Sequence, residues 1–179
     1  LARRKERLEA LVSELPSAIE THILVADVRN EEQVHKAIDG LPKKVKDGLS
    51  ILVNNAGLAV GKGPIDSGLS DDWDRMVDTN IKGLLYVTRA VIPILKANGK
   101  GHIINIASIA GKEVYPGGNV YCATKHAVDA LSRAMRIDLV NYKIRVSNLA
   151  PGAAETEFSI VRFKGDAEQA KSVYDGYDP

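Results

Sequence analysis

Ser108, Tyr121 and Lys125 stand thirteen and then four residues apart, and together they could move a proton to or from a substrate oxygen. Tyr121 and Lys125 lie at i and i+4 in Tyr121-Cys122-Ala123-Thr124-Lys125, a stretch that continues as a helical pattern, so phenol and ammonium share one helix face. A phenol titrates near 10, too high for a base at neutral pH; burial raises that value and a nearby cation lowers it. Lys125 is expected to supply the cation. Ser108 closes the apolar run His102-Ile103-Ile104-Asn105-Ile106-Ala107, which reads as a buried strand. Its hydroxyl is therefore expected at the carboxyl edge of a sheet, where open α/β sheets bind ligands. Asn80 and the tetrapeptide Asn54-Asn55-Ala56-Gly57 precede these three residues in the chain.

The elements that must position them follow from periodicity. Leu8, Leu11, Val12 and Leu15 predict an amphipathic helix from Lys5 to Leu15, ended by Pro16. Ile23-Leu24-Val25-Ala26 reads as a short buried strand, and Glu31 to Val45 as a helix interrupted near Gly40-Leu41-Pro42. Leu49 to Val53 is the next strand. Ser70-Asp71-Asp72 reads as an N-cap with acidic first-turn residues, opening a long helix to about Ala97. A strand at residues 102–107, a helix over about 120–141 and a strand at Ile144–Asn148 complete a strand–helix alternation. That alternation implies an α/β fold with a doubly wound parallel sheet. No internal repeat or low-complexity segment interrupts it.

With 179 residues, 45% of them hydrophobic, the chain has enough apolar material for one domain with a substantial core. Its 24 basic and 23 acidic residues leave a net charge of +1, so no nucleic-acid or membrane partner is expected. No apolar run approaches the roughly 20 residues of a membrane span. Cys122 is the sole cysteine, which excludes an intramolecular disulfide and a cysteine-rich metal site and fits a reducing compartment. It reads as a small buried hydrophobe.

Asn54-Asn55-Ala56-Gly57, Asn80, Ser108, Tyr121-x-x-x-Lys125 and Pro151-Gly152, in that order, resemble the short-chain dehydrogenase/reductase family over almost the whole chain. The resemblance implies a Rossmann-like fold and an NAD(P)-dependent oxidoreductase without a metal. Tyr121 would be the general acid in carbonyl reduction and the base in alcohol oxidation. Ser108 would hold the substrate oxygen. Lys125 would lower the Tyr121 pKa and bind the nicotinamide ribose, and the Asn80 carbonyl would hold a water linking Lys125 to solvent. Cofactor contacts would come from Asp27 and Val28 at the adenine, from Asn54, Ala56 and Gly57, and from Pro151, Gly152 and Thr156 at the nicotinamide and phosphates.

Glu155 to Ser159 and Val161 to Asp166 resemble the family's NADP-dependent branch acting on small 3-hydroxy acids, serine and allo-threonine. In NAD enzymes of this architecture a carboxylate ends the second strand and would repel a 2′-phosphate. Ala2 holds the corresponding position, with Arg3 and Arg4 following, and arginine pairs with phosphate through a planar fork. NADP is therefore the expected cofactor. Arg162 and Lys164 could meet a substrate carboxylate or be solvated, and Gly111 to Tyr115 could line the pocket mouth. A broad carbonyl reductase and a non-enzymatic nucleotide-sensing or scaffold protein of the same family are the alternatives. The family's first strand, glycine-rich turn and last strand have no counterpart in the sequence, so further segments are expected before Leu1 and after Pro179. A cytoplasmic homo-oligomer, a tetramer through the two long helices, is the assembly the resemblance implies.

Overall fold

The computed structural model describes residues 1–174. At its centre is a parallel sheet of β1 (Ile51–Asn54), β2 (Gly101–Ile106) and β3 (Ile144–Leu149), hydrogen-bonded in that order. Register pairs Asn54 with Asn105 and Asn105 with Asn148, so three asparagines form one row across the carboxyl end of the sheet. From β1 the chain reaches β2 through α4 (Ser70–Val77), a π-helical segment (Asp78–Gly83) and α5 (Leu84–Ala97). From β2 it reaches β3 through α6 (Asn119–Leu139). Both crossovers advance the same way along the sheet, and right-handed crossovers then put both helices on one face.

α5 packs on β1, α6 on β3, and α2 (Glu31–Asp39) on α5. The core they share includes Val34, Val91, Leu95, Ile103, Val128, Leu139 and Val146. Each such side chain contributes about 1.5–3 kcal/mol on burial, opposed by the entropy of ordering it. On the other face Ile51, Val53 and Leu149 are more than half exposed. α5 and α6, with α2 against α5, thus cover one side of this Rossmann-like parallel sheet.

Several boundaries differ from the sequence expectations for local reasons. α1 (Lys5–Glu14) forms where the apolar spacing predicts a helix, yet only Leu8 and Val12 are half-buried, while Leu11 and Leu15 are exposed. Ile23–Ala26 is reduced from a strand to a single parallel bridge between Ala2 and Val25. Two hydrogen bonds hold it, Ala2 N to the Leu24 carbonyl and Ala26 N to the Ala2 carbonyl. Pro42, which has no N–H, separates α2 from α3 (Lys43–Gly48). Ser70 is the first residue of α4 rather than its cap; Leu69 holds that position and makes no side-chain bond. The helix expected to run unbroken to Ala97 widens into π geometry at Asp78–Gly83, a feature frequent at functional sites. Beyond β3 come two short helices, α7 (Glu157–Arg162) and α8 (Ala167–Ser172).

Candidate active site

Tyr121 and Lys125 are both buried near the start of α6. The Lys125 ammonium donates to the Ile106 carbonyl at the end of β2, at 2.9 Å, and lies 5.8 Å from the centre of the Tyr121 ring. Burial lowers the Lys125 pKa to about 8. The same cause raises the Tyr121 phenol above its ordinary value, outweighing the neighbouring Ser108 hydroxyl and the Arg162 charge, which pull it down. Lys125 is not among the leading causes of this shift: its ammonium points at a backbone carbonyl, and desolvation dominates the phenol. Burial thus favours the neutral phenol.

Ser108 follows β2 as expected, half-buried, its oxygen accepting from the Ala110 N–H at 3.1 Å. The turn after it lies flush on α6, because a Cβ on Gly111 would meet the Lys125 carbonyl oxygen at 2.5 Å. Ile109 N donates to the Pro151 carbonyl and Ala107 N to the Leu149 carbonyl, tying this turn to the end of β3. Asp129, one turn beyond Lys125, accepts from Lys112 at 2.6 Å, Arg133 at 2.6 Å and Asn148 at 2.8 Å. These bonds, Lys112 foremost, hold its pKa at about 2.

Asn80 lies in the π-helical segment with its side chain committed to packing. Its Oδ1 accepts from Leu58 N at 2.7 Å, and its Nδ2 donates to the Leu58 carbonyl at 2.8 Å and to Thr124 Oγ1 at 2.9 Å. Since Thr124 stands between Tyr121 and Lys125, Asn80 fastens the loop after β1 to the helix carrying both. Asn54 is also buried, donating to Thr88 and to Asn105 at 2.8 Å each. Its side chain belongs to the asparagine row. Ala56 and Gly57 are exposed, and a Cβ on Gly57 would stand 3.5 Å from the Lys125 nitrogen.

The other candidates divide into two groups. Around the Ala2–Val25 bridge, Arg3 and Arg4 are exposed, and the charge of Arg3 helps lower the Asp27 pKa. The principal cause there is the hydrogen bond from Arg29, 2.6 Å from Nη2 to Oδ2. Val28 reaches the π-helical segment, where a Cβ on Gly83 would meet its Cγ2 at 2.8 Å. After β3, Gly152 is exposed with open space where a Cβ would project, and Thr156 accepts from Phe158 N at 3.2 Å as the cap of α7.

A cavity of about 340 Å³ opens beside Tyr121, walled by Val60, Gly61, Trp73, Met76, Asn119, Arg162 and Phe163 among others. Gly117 to Asn119 stand at the wall where residues 111–115 were expected. α7 closes one side. The Phe158 ring lies 5.9 Å from that of Tyr121, and the Arg162 guanidinium carbon lies 5.6 Å from the Tyr121 ring centre. Arg162 Nε donates to the Gly61 carbonyl at 3.3 Å, and Gly61 N donates back to the Arg162 carbonyl at 2.8 Å. Arg162, which the sequence leaves open between a substrate carboxylate and solvent, is only 7% exposed and lines the cavity.

Residues 1–166 match the family of short chain dehydrogenases. The chain belongs to that family. This short-chain dehydrogenase is 48% identical to the NADP-dependent 3-hydroxy acid dehydrogenase YdfG of Salmonella typhi, over 97% of this chain and 69% of that protein. Serine 3-dehydrogenase of Rhizobium radiobacter is 46% identical over 99% and 70% of the respective chains. Among solved structures, the closed form of a serine dehydrogenase complexed with NADP+ superposes with a TM-score of 0.92 at 45% identity, covering 98% of this chain and 70% of that one.

Proposed function

We propose that this short-chain dehydrogenase is an NADP-dependent oxidoreductase that moves a hydride between the nicotinamide and a small 3-hydroxy acid or 3-hydroxy amino acid. The convergence of Ser108 and Lys125 on Tyr121, which itself lines the cavity, carries the reading. It is supported by the relatives named for 3-hydroxy acids and serine and by the NADP+ in the similar closed structure. The residues present fit a nucleotide. Arg3 and Arg4 would hold a 2′-phosphate and Asp27 and Val28 the adenine side. The backbone of Asn54, Ala56 and Gly57 would approach the nucleotide closely, the open Gly152 with Pro151 and Thr156 would face the nicotinamide end, and Lys125 would bind ribose hydroxyls. NADP, when bound, accepts or supplies the hydride.

The protein's own part is to hold the substrate oxygen and move one proton. Ser108 orients the oxygen and stabilises charge developing on it. Tyr121, kept protonated by burial, gives its proton to that oxygen as a carbonyl is reduced, and must take one back as an alcohol is oxidised. The Asn80 and Gly111 contacts fix the helix and turn that carry these groups. Trp73, Met76 and Phe163 in the cavity wall favour a second reading, a broader carbonyl reductase, which ketones lacking a carboxylate would separate. The same proposal includes one catalytic domain in a cytoplasmic homo-oligomer, a tetramer. Ile137 and Val140, 76% and 63% exposed at the end of α6, support a subunit contact there, and no helix among the described residues is long and apolar enough to cross a membrane.

The deciding experiment follows NADPH formation with L-serine, L-allo-threonine and 3-hydroxypropionate beside a Tyr121→Phe variant. Turnover is expected in the wild type and a loss of about 10³-fold in the variant, with NADP binding retained. A protein that binds NADP yet oxidises none of the three would refute the substrate reading, and one that binds no nucleotide would refute the enzyme reading.

A further inference from the structure

We infer that Arg162 recognises the substrate's acid group: its free Nη2 binds the carboxylate of a 3-hydroxy acid whose hydroxyl lies against Tyr121. The inference rests on the substrate reading above and adds the residue that selects for the acid. Arg162 is buried, yet among the described residues its Nη2 has no hydrogen-bond partner; its Nε makes a long bond to the Gly61 carbonyl, and the Tyr115 phenol lies beside the guanidinium. A guanidinium withdrawn from water without an anion is costly, and an anion arriving from solution removes that cost.

The other cations at the cavity do not fit the role. Lys164 already donates to Asp72 at 2.8 Å, and Lys62 is exposed. Arg162 instead faces Tyr115 and Tyr121 at 5.5 and 5.6 Å from guanidinium carbon to ring centre, contacts that keep its charge away from bulk water. Carbon–carbon bonds of about 1.5 Å place a carboxylate two carbons from the reacting centre within reach of a guanidinium so close to the phenol. The planar fork of arginine suits both carboxylate oxygens. Because Arg162 also exchanges hydrogen bonds with Gly61, the substrate anion would bind the residue that joins α7 to the loop after β1.

The test uses the full-length protein with NADPH and two ketones, acetoacetate and its methyl ester. Arg162→Met is expected to lower kcat/KM about 100-fold more for the acid than for the ester, mainly through KM, and Arg162→Lys to recover part of that difference. Butyrate, which cannot be reduced, should inhibit the ester reaction in the wild type and about tenfold more weakly in Arg162→Met. Equal losses on acid and ester, or undiminished inhibition by butyrate, would overturn the assignment and leave Arg162 as a fastening for α7. Should Arg162→Met fail to fold, Arg162→Lys with its point charge must still lose discrimination between acid and ester. A wild type that reduces the ester but not acetoacetate sinks the substrate reading, and the butyrate comparison then still decides the role of Arg162.

Discussion

Under the floor of the site, Thr88, Asn54, Asn105 and Ser132 bond one another in a buried chain, whereas on the lid side, formed by α7 and α8, Arg162 is comparably buried and its Nη2 has no partner among the described residues. The floor chain joins α5, β1, β2 and α6, and Ser132 passes it on to the Val128 carbonyl at 2.7 Å. Its four residues bond one another, although Asn148 of the same row keeps a buried Oδ1 without a partner among the described residues. The hydrogen-bonded chain holds the end of β2 and the helix bearing Tyr121 in register before any ligand arrives. The lid consists of two six-residue helices, too short to be stable alone. It is held by the Thr156 cap, by the exchange between Arg162 and Gly61, and by an exposed ion pair from Arg7 to Glu157. A satisfied network fixes geometry, whereas the unpartnered Nη2 is what the proposed acid contact would satisfy. The same degree of burial therefore serves different ends in the two regions.

The floor offers the sharpest way to break this contrast. Asn105→Ala removes the acceptor of Asn54 and the donor to Ser132 in a fully buried setting, and should cost about 3 kcal/mol in urea unfolding. A loss below about 0.5 kcal/mol, the scale of an ordinary surface change, would mean that the asparagine row does not hold the floor. A smaller effect is expected at Gly111, where a Cβ would strike the Lys125 carbonyl oxygen at 2.5 Å. Gly111→Ala should cost about 2 kcal/mol and lower kcat by pushing the Ser108 turn off α6. Gly152→Ala on the lid side is the control, since nothing lies within 4 Å of the added methyl. Equal costs at the two glycines would erase the distinction between a tight floor and an open lid.

What could be read from sequence follows the same division. The strands and α6 were legible because apolar period and turn residues are local signals, and the i, i+4 spacing did bring Tyr121 and Lys125 together in the core. The direction of the Tyr121 shift was not, because it depends on how deeply the phenol is buried. The row of Asn54, Asn105 and Asn148 arises from register between strands far apart in the chain, which no local window reports. Ile23–Ala26 has strand composition, but a ladder also needs a partner, and Ala2 alone lies beside it. The π-helical segment keeps a helical apolar pattern while adding a residue to the turn, so periodicity passes over it. Arg162 and Lys164 look alike in sequence, each open to a substrate carboxylate or to solvent; only the fold aims one at Tyr121 and pairs the other with Asp72.

The smallest of these effects belongs to Asp129, which anchors the floor through charge. It accepts from Lys112 beyond Ser108 and from Asn148 at the end of β3, so it links the two loops that border the site. Its folded pKa of about 2 lies below its ordinary 3.8. Its contribution is therefore complete above pH 3.8 and is lost as pH falls through about 2. Lys112 and Arg133 are more than half exposed, so water and salt screen the interaction, and about 1 kcal/mol is expected. Unfolding of the wild type and Asp129→Asn across pH 2–6 should show a constant gap at the upper end that closes toward the lower. A gap independent of pH would make Asp129 a matter of shape rather than charge. The floor would then be fixed by its neutral asparagine network alone.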